Sequence, residues 1–439
     1  MAVYSFKGGV HPFDGKKLTK DKAIDRIIPE GDMVYPLSQH IGAPAKPVVK
    51  PKDRVLKGQL IAEASGFVSA NIYSTVSGVV KAIEKRRVPT GDKVMSIIIE
   101  NDNLYDCAPP LDFPDISDMT KDDVINAIKA AGIVGMGGAG FPTHVKLSPK
   151  SPEKIFYCIV NCAECEPYLT SDCRRVMEEP EKIVAGLKIV LCLFEHAEGI
   201  IAVEDNKPEC IRRLKDLAVD EPRITVKTLK TKYPQGSERQ LIYATTHRAI
   251  NSSMLPADAG CIVNNVDTIH AIYEAVIEKK PLLERVVTVT GDAIRFPNNY
   301  LVPLGTSYAQ LIEEAGGFKE EPAKVISGGP MMGFALFDLN VPIVKTSSAI
   351  LSMSKDEVSK KPSGNCINCG ACVNACPGRV IPARLADFAE HNDEEMFLKY
   401  NGMECCECGC CSYVCPAGRH LTAEIKTMRK NLLAKKKRS

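Results

Sequence analysis

The sequence has no excess of either charge: 56 Lys and Arg stand against 54 Asp and Glu, a net charge of +2. With pI near 7.8 and no global field, nucleic acid is not an expected partner. Nor is there an apolar run of membrane-span length, and the opening MAVYSFKGGVHPFDGKK lacks the charged-then-apolar pattern of an export signal. The expectation is a protein of the cytosol, soluble or peripheral on a membrane. Its 439 residues allow about three domains, each with its own core.

What is abundant is cysteine. In a reducing compartment, 18 cysteines indicate metal or redox chemistry rather than disulfides. Eight fall into two copies of C-x2-C-x2-C-x3-C-P: Cys366, Cys369, Cys372 and Cys376, then Cys405, Cys408, Cys411 and Cys415. This is the run that binds cubane iron-sulfur clusters. Three closely spaced thiolates bend around one cluster, while the fourth crosses to the other. The expected sets are Cys366, Cys369, Cys372 with Cys415, and Cys405, Cys408, Cys411 with Cys376, giving two [4Fe-4S] clusters. Structural zinc also uses C-x2-C units, but has no need of the third cysteine or of the C-x3-C-P ending. Cys406 and Cys410 are surplus to the spacing and read as neighbours of the second cluster. The polar linker GRVIPARLADFAEHNDEEMFLKYNGME suits a helical two-cluster module.

Upstream, TKDDVINAIKAA (120–131) places Val124, Ile125, Ile128 and Ala131 on one helical face, with Thr120 as N-cap, Asp123 three positions on and Gly132 as terminator. GMGGAGFPTHVK (135–146) follows. Gly135, Gly137 and Gly140 spell G-x-G-x-x-G, but after a helix, where a dinucleotide fingerprint requires a strand. The glycines still let backbone N–H groups approach a phosphate or a flat ring, and Lys146 supplies a cation. Segments 154–160, 199–204 and 223–229 read as buried strands separated by helices near 180–195 and 207–219, an α/β sandwich with a mostly parallel sheet. Ligands collect at the carboxyl ends of such strands. NCAECEP (161–167), YPQGSERQ (233–240) and the end of CIVNNVDT (261–268) stand there; Cys162 and Cys165 are read as loop cysteines.

GMGGAGFPTHVK, NCAECEP, GSERQL and NNVDT resemble, in order and spacing, the flavin and NADH pocket of the flavoprotein subunit of respiratory complex I. Together with FKGGVHP, PLSQHIGAPAKPVV and the twin cluster runs, the whole chain resembles the C-subunit family of Rnf ion-translocating electron-transport complexes. That resemblance implies a multidomain α/β protein. Residues 1–110 would hold an N-terminal segment with a barrel-sandwich hybrid (lipoyl-like) domain, and 111–280 a Rossmann-like FMN/NADH domain. A β-grasp (SLBB) domain would span 281–350, an α-helical two-cluster ferredoxin domain 351–425, and a basic tail 426–439. FMN would be held by Gly135, Gly137, Gly138, Lys146, Asn161, Glu164, Asn264, Asn265 and Thr268, and NADH by Phe141, Glu166 and Glu238. Met136, Ala163 and Ser237 depart from the complex I pattern, on the nicotinamide side. ASGFVSA (64–70) lacks the lysine of a lipoyl-type carrier, so a rigid docking domain is the reading there.

Electron counting implies the rest. NADH gives up two electrons together and each cluster accepts one, so a flavin must stand between them. No side chain is required as a catalytic acid. In the resembling family, electrons run from reduced ferredoxin through membrane subunits to NAD⁺ while Na⁺ or H⁺ is moved, and this subunit would be the NAD end, peripheral on the cytoplasmic side of the membrane. Two alternatives stand beside it: a microcompartment-type cobalamin reductase of similar architecture, and a non-catalytic electron conduit or scaffold.

Overall fold

The computed structural model describes residues 2–438, apart from the side chains of 437 and 438. At its centre is a parallel five-stranded sheet in the order Val3–Tyr4, Ile224–Leu229, Glu198–Glu204, Tyr157–Cys162, Cys261–Asn265. Its inner strands are near-continuous apolar runs because helices cover both faces. Pro180–Cys192, Pro208–Leu217 and Val266–Val276 pack on one side with Ile183, Leu187, Leu214 and Ile272 in the core. Glu238–Thr246 closes the other through Leu241 and Ile242. The helix expected after Thr120 spans Lys121–Ala130. Its start is a capping box between Thr120 and Asp123, and Gly132 leaves it at φ +70°.

The amino-terminal segment is shared between neighbours. Val3–Tyr4 extends the central parallel sheet, and Ile24–Arg26 adds the edge strand to a six-stranded sheet. In that second sheet Glu284–Thr290 is flanked by Asn298–Pro303 and Ala349–Met353, with helix Tyr308–Glu314 alongside. Between these passages lies a small β-unit of one four-stranded and one three-stranded sheet, closed around Met33, Tyr35, Ile61, Ile97 and Ile99. Phe67, at the tip where a carrier lysine is missing, is 72% exposed.

The carboxyl-terminal region is helical. Ala371–Ala375, Pro382–Glu390, Glu394–Lys399, Cys410–Tyr413 and Leu421–Arg438 surround Leu385, Phe397, Ile425 and Met428. The basic tail forms the far end of the last helix; Ser439 and the side chains of Lys437 and Arg438 lie outside the described residues. Among the described residues no helix is long and apolar enough to cross a membrane.

The units are bolted together by buried cations. Lys345 donates to Asn71 O (2.5 Å) and Gly132 O (2.7 Å), joining the small β-unit to the end of helix Lys121–Ala130. Burial pushes its pKa down to about 7. Within the central unit, Gly186 lets helix Pro180–Cys192 lie against Val266–Val276, since a Cβ there would press into the backbone carbonyl of Ile269. Gly186→Val is therefore expected to destabilise the protein by about 1–3 kcal/mol. Urea unfolding reads this, and an unchanged midpoint would contradict the close contact.

Candidate functional site

The glycine loop is lashed to the carboxyl end of the sheet. Gly135 N donates to Phe141 O (2.9 Å), closing the turn. Met136 N donates to Thr268 Oγ1 (3.0 Å), and Met136 O accepts from Arg285 Nη1 (3.3 Å). A Cβ on Gly137 would stand 2.8 Å from Asn265 Cβ, so the loop rests on Asn265. Gly138 has nothing within 4 Å of that position and faces open space. Lys146 reaches the same strand end, donating to Val263 O (2.7 Å) and facing the exposed Glu238 at 3.8 Å. Burial lowers the Lys146 pKa, and Glu238 partly offsets this. Asn264 is buried with its Oδ1 unpartnered.

Asn161, on the neighbouring strand, donates to Gly236 O (2.8 Å), and Gly236 N donates to Cys165 Sγ (3.2 Å). The 161–167 and 233–240 segments thus meet across one glycine. Glu164 sits at φ +48°, a left-handed conformation rare for a side-chain-bearing residue. The structure turns its carboxylate inward: Oε1 accepts from Asp172 N (2.8 Å) at the start of helix Ser171–Glu178, and Lys16 Nζ lies 3.7 Å from Oε2. Glu166 likewise faces elsewhere, accepting from Met332 N (2.7 Å) in the turn between strands Lys324–Ser327 and Phe334–Leu336 of the six-stranded sheet, and burial pushes its pKa up to about 7.

The structure therefore brings together Gly135, Gly137, Gly138, Lys146, Asn264, Asn265, Thr268 and Glu238, with Phe141 half-buried at the loop exit and Asn161 adjoining. It does not direct the Glu164 and Glu166 side chains toward this group: the first turns to Asp172 N and Lys16, the second to Met332 N. Loop N–H groups, a lysine and an orphaned buried amide oxygen suit a phosphate-bearing flat ring such as FMN. Sequence reasoning missed Lys16, Asp172 and Arg285, whose partners lie far along the chain. Asp172 accepts from Asn265 Nδ2 (2.7 Å). Burial, with Glu164 and Asp267 nearby, pushes its carboxyl up to about 7.

The cluster runs line two cavities. One, of about 160 Å³, has Cys366, Cys369, Cys372 and Cys415 on its wall. A tighter one has Cys376, Cys405, Cys408 and Cys411, with the surplus Cys406 and Cys410 also lining it. Among the described residues no three Cys, His, Asp or Glu side chains converge as ligands of a single metal ion. Four spaced cysteine thiols on the wall of each space are the donor set of a larger cluster. The second cavity adjoins the central sheet: Cys408 and Cys410 pack with Tyr233, Cys165 and Met331. Arg239 Nη1 holds Glu404 Oε2 at 3.0 Å, and Ser252 N donates to the same carboxylate. Cys366 and Cys369 are exposed.

Because Asp172 has a folded pKa raised from about 4 to about 7, its stabilising share is complete below about pH 4 and is lost as pH rises through 7. Asp172→Asn should remove that loss. The stability of the variant minus that of wild type should grow between pH 4 and 7 and level off above; urea melts across this range measure it, and a flat difference would refute the buried-acid assignment.

Residues 4–104 match the RnfC barrel sandwich hybrid domain, 128–274 the Nuo51 FMN-binding domain, 286–335 the SLBB domain and 365–419 the 4Fe-4S dicluster domain. The chain is 46% identical over 384 residues to the C subunit of the proton-translocating ferredoxin:NAD(+) oxidoreductase complex of Clostridium ljungdahlii, covering 87% of this chain and 84% of that protein. It is 41% identical over 435 residues to the C subunit of the Na(+)-translocating ferredoxin:NAD(+) oxidoreductase complex of Acetobacterium woodii, covering 99% and 98%. Among solved structures, an air-oxidised NAD+-reducing [NiFe]-hydrogenase aligns at TM-score 0.48 and 20% identity, over 62% of this chain and 53% of its own. With an FMN-binding domain and a 4Fe-4S dicluster domain on one polypeptide, and relatives at this identity along almost its whole length, the chain belongs to the C-subunit family of ion-translocating ferredoxin:NAD(+) oxidoreductase complexes, the RnfC family.

Proposed function

We propose that the protein is the NAD-linked electron-transfer subunit of an Rnf-type complex, exchanging electrons between NADH or NAD⁺ and its membrane partners, with ferredoxin acting at a distance through them. The carrying observation is spatial: Gly137 of the glycine loop rests on Asn265, Asn265 pairs with Asn161 on the neighbouring strand, Asn161 bonds Gly236, and Gly236 bonds Cys165, which packs with Tyr233 and Cys408 at the second cysteine-bearing cavity. Bound there, FMN supplies the exchange between two-electron and one-electron chemistry, and [4Fe-4S] clusters supply one-electron relay.

The protein's own residues bind and orient. The glycine-loop N–H groups and Lys146 would hold the phosphate, and Asn264, Asn265, Thr268 and Asn161 would hold the ring and its chain. Phe141 and Glu238, beside Lys146, are the residues we assign to the nicotinamide nucleotide. Glu164 acts through the backbone it shapes, while Glu166 holds the 329–332 turn. Cys366, Cys369, Cys372 and Cys415 would ligate one cluster, and Cys376, Cys405, Cys408 and Cys411 the other. A chain of this kind, without a spanning helix among its described residues, fits peripheral attachment to membrane subunits at the cytoplasmic face.

An anaerobic NADH titration of the FMN- and cluster-loaded protein should bleach flavin absorbance, and cluster absorbance should follow. Flavin that stays oxidised with NADH but reduces with dithionite would overturn the nicotinamide assignment. Cys376→Ala should halve the iron content by removing the cluster built on Cys405, Cys408 and Cys411, while leaving the other; Cys415→Ala should do the reverse. Iron analysis with EPR of the reduced variants distinguishes the two, and loss of the local cluster alone would sink the crossed arrangement.

A further inference from the structure

Ten of the 18 cysteines lie outside the two cluster runs, and the proposed path uses none of them as a ligand. Cys158, Cys162 and Cys261 are buried, and burial pushes their thiols upward. Cys173 and Cys210 are different. Their Sγ atoms stand 3.6 Å apart, with Cys210 Sγ also 3.6 Å from Cys173 O. Cys173 is the third residue of helix Ser171–Glu178, and Cys210 the third of helix Pro208–Leu217. The two thiols meet where the positive ends of two helices converge, with the buried cations Lys207 and Lys16 nearby. Helix N-termini and lysines favour thiolate. The Cys173 pKa is lowered, chiefly by the hydrogen bond with Cys210 and with help from Lys207 and Lys16, against burial and the nearby Glu164 carboxylate. Cys173 is half-buried and Cys210 buried, so an incoming reagent meets Cys173 first.

We propose that Cys173 and Cys210 form an oxidation site that closes to a disulfide between these two helices when a small disulfide is present. The Cys173 thiolate attacks one sulfur of the reagent, forming a mixed disulfide and expelling one thiolate. Cys210 then loses its proton and attacks the Cys173 sulfur, expelling the second. Two protein thiols are oxidised, and the reagent leaves as two thiols carrying both protons. The sulfurs need to approach from 3.6 Å to roughly 2.05 Å. The shift is delivered to the floor of the candidate flavin pocket, because the same helical turn holds Glu164 through Asp172 N and Cys173 N, and Asp172 holds Asn265. This second consequence rests on the FMN reading above.

The test treats the full-length, cluster-loaded, FMN-reconstituted protein anaerobically with 2-hydroxyethyl disulfide and maps its peptides without reduction. Wild type should yield a Cys173–Cys210 peptide lighter by two hydrogens. Cys210→Ser should instead carry a mixed disulfide at Cys173, and Cys173→Ser should leave Cys210 free. Exposed Cys107 and Cys192 report that the reagent was active; their modification without the crosslink would overturn the site. FMN should dissociate from the oxidised wild type severalfold faster than from identically treated Cys173→Ser, and equal rates would overturn the link to the pocket. A protein that takes up no FMN before treatment refutes the flavin reading and leaves the crosslink result standing.

Discussion

One buried ammonium group organises the functional end of the sheet. Lys16 Nζ has three N–H donors and spends them on the carbonyls of Glu164 (2.9 Å), Glu166 (3.0 Å) and Leu169 (2.5 Å). Taking a lysine out of water is unfavourable, and burial lowers its pKa, with the Glu164 carboxylate partly restoring it. Three charge-assisted bonds and that carboxylate compensate. They hold the 161–169 segment in a shape that includes left-handed Glu164 and Tyr168, which an unsupported loop would not keep. Asn161, Cys165 and the turn around Gly236 then take their places from it.

The same device recurs at the borders between units. Arg285 is buried in the neighbouring sheet and bonds the backbone of both Met136 and Lys345, so the glycine loop and the linker near 345 share one guanidinium. Inside the central unit the same kind of bond ties helix to loop, Lys207 donating to Ala163 O (2.7 Å) beside Glu204. Long cationic side chains reach across unit boundaries to backbone carbonyls that would otherwise be buried without partners, which side-chain packing alone cannot satisfy. Segments distant in sequence thereby behave as one scaffold for the site.

This explains what could be read in advance. The strands at 157–162, 198–204 and 224–229 and the capped helix after Thr120 were legible because apolar periodicity and caps are local signals. The cluster runs were legible because ligand spacing is local too. The sharing of residues 3–4 and 24–26 with other sheets was not, since short strands with half-exposed faces leave little pattern. The inward turn of Glu164 and the partner of Glu166 were also out of reach: each depends on residues about 150 positions away, or on a turn in the next unit. A glutamate in a conspicuous motif reads as a ligand contact until the buried donors around it are seen.

The interleaved cavity walls carry a consequence for how the molecule is made. A chain emerging from the ribosome presents its amino-terminal units first, and these can settle while the rest is still in the tunnel. The wall bearing Cys366, Cys369 and Cys372 lacks its fourth cysteine until residue 415 has been made, and the cavity bearing Cys405 borrows Cys376 from the stretch before it. Neither half can be finished alone. Completion of the carboxyl-terminal region is thus a late, joint event: a message truncated before codon 405 leaves both cavities short of their cysteines, and one truncated between codons 411 and 415 leaves only the first without its fourth.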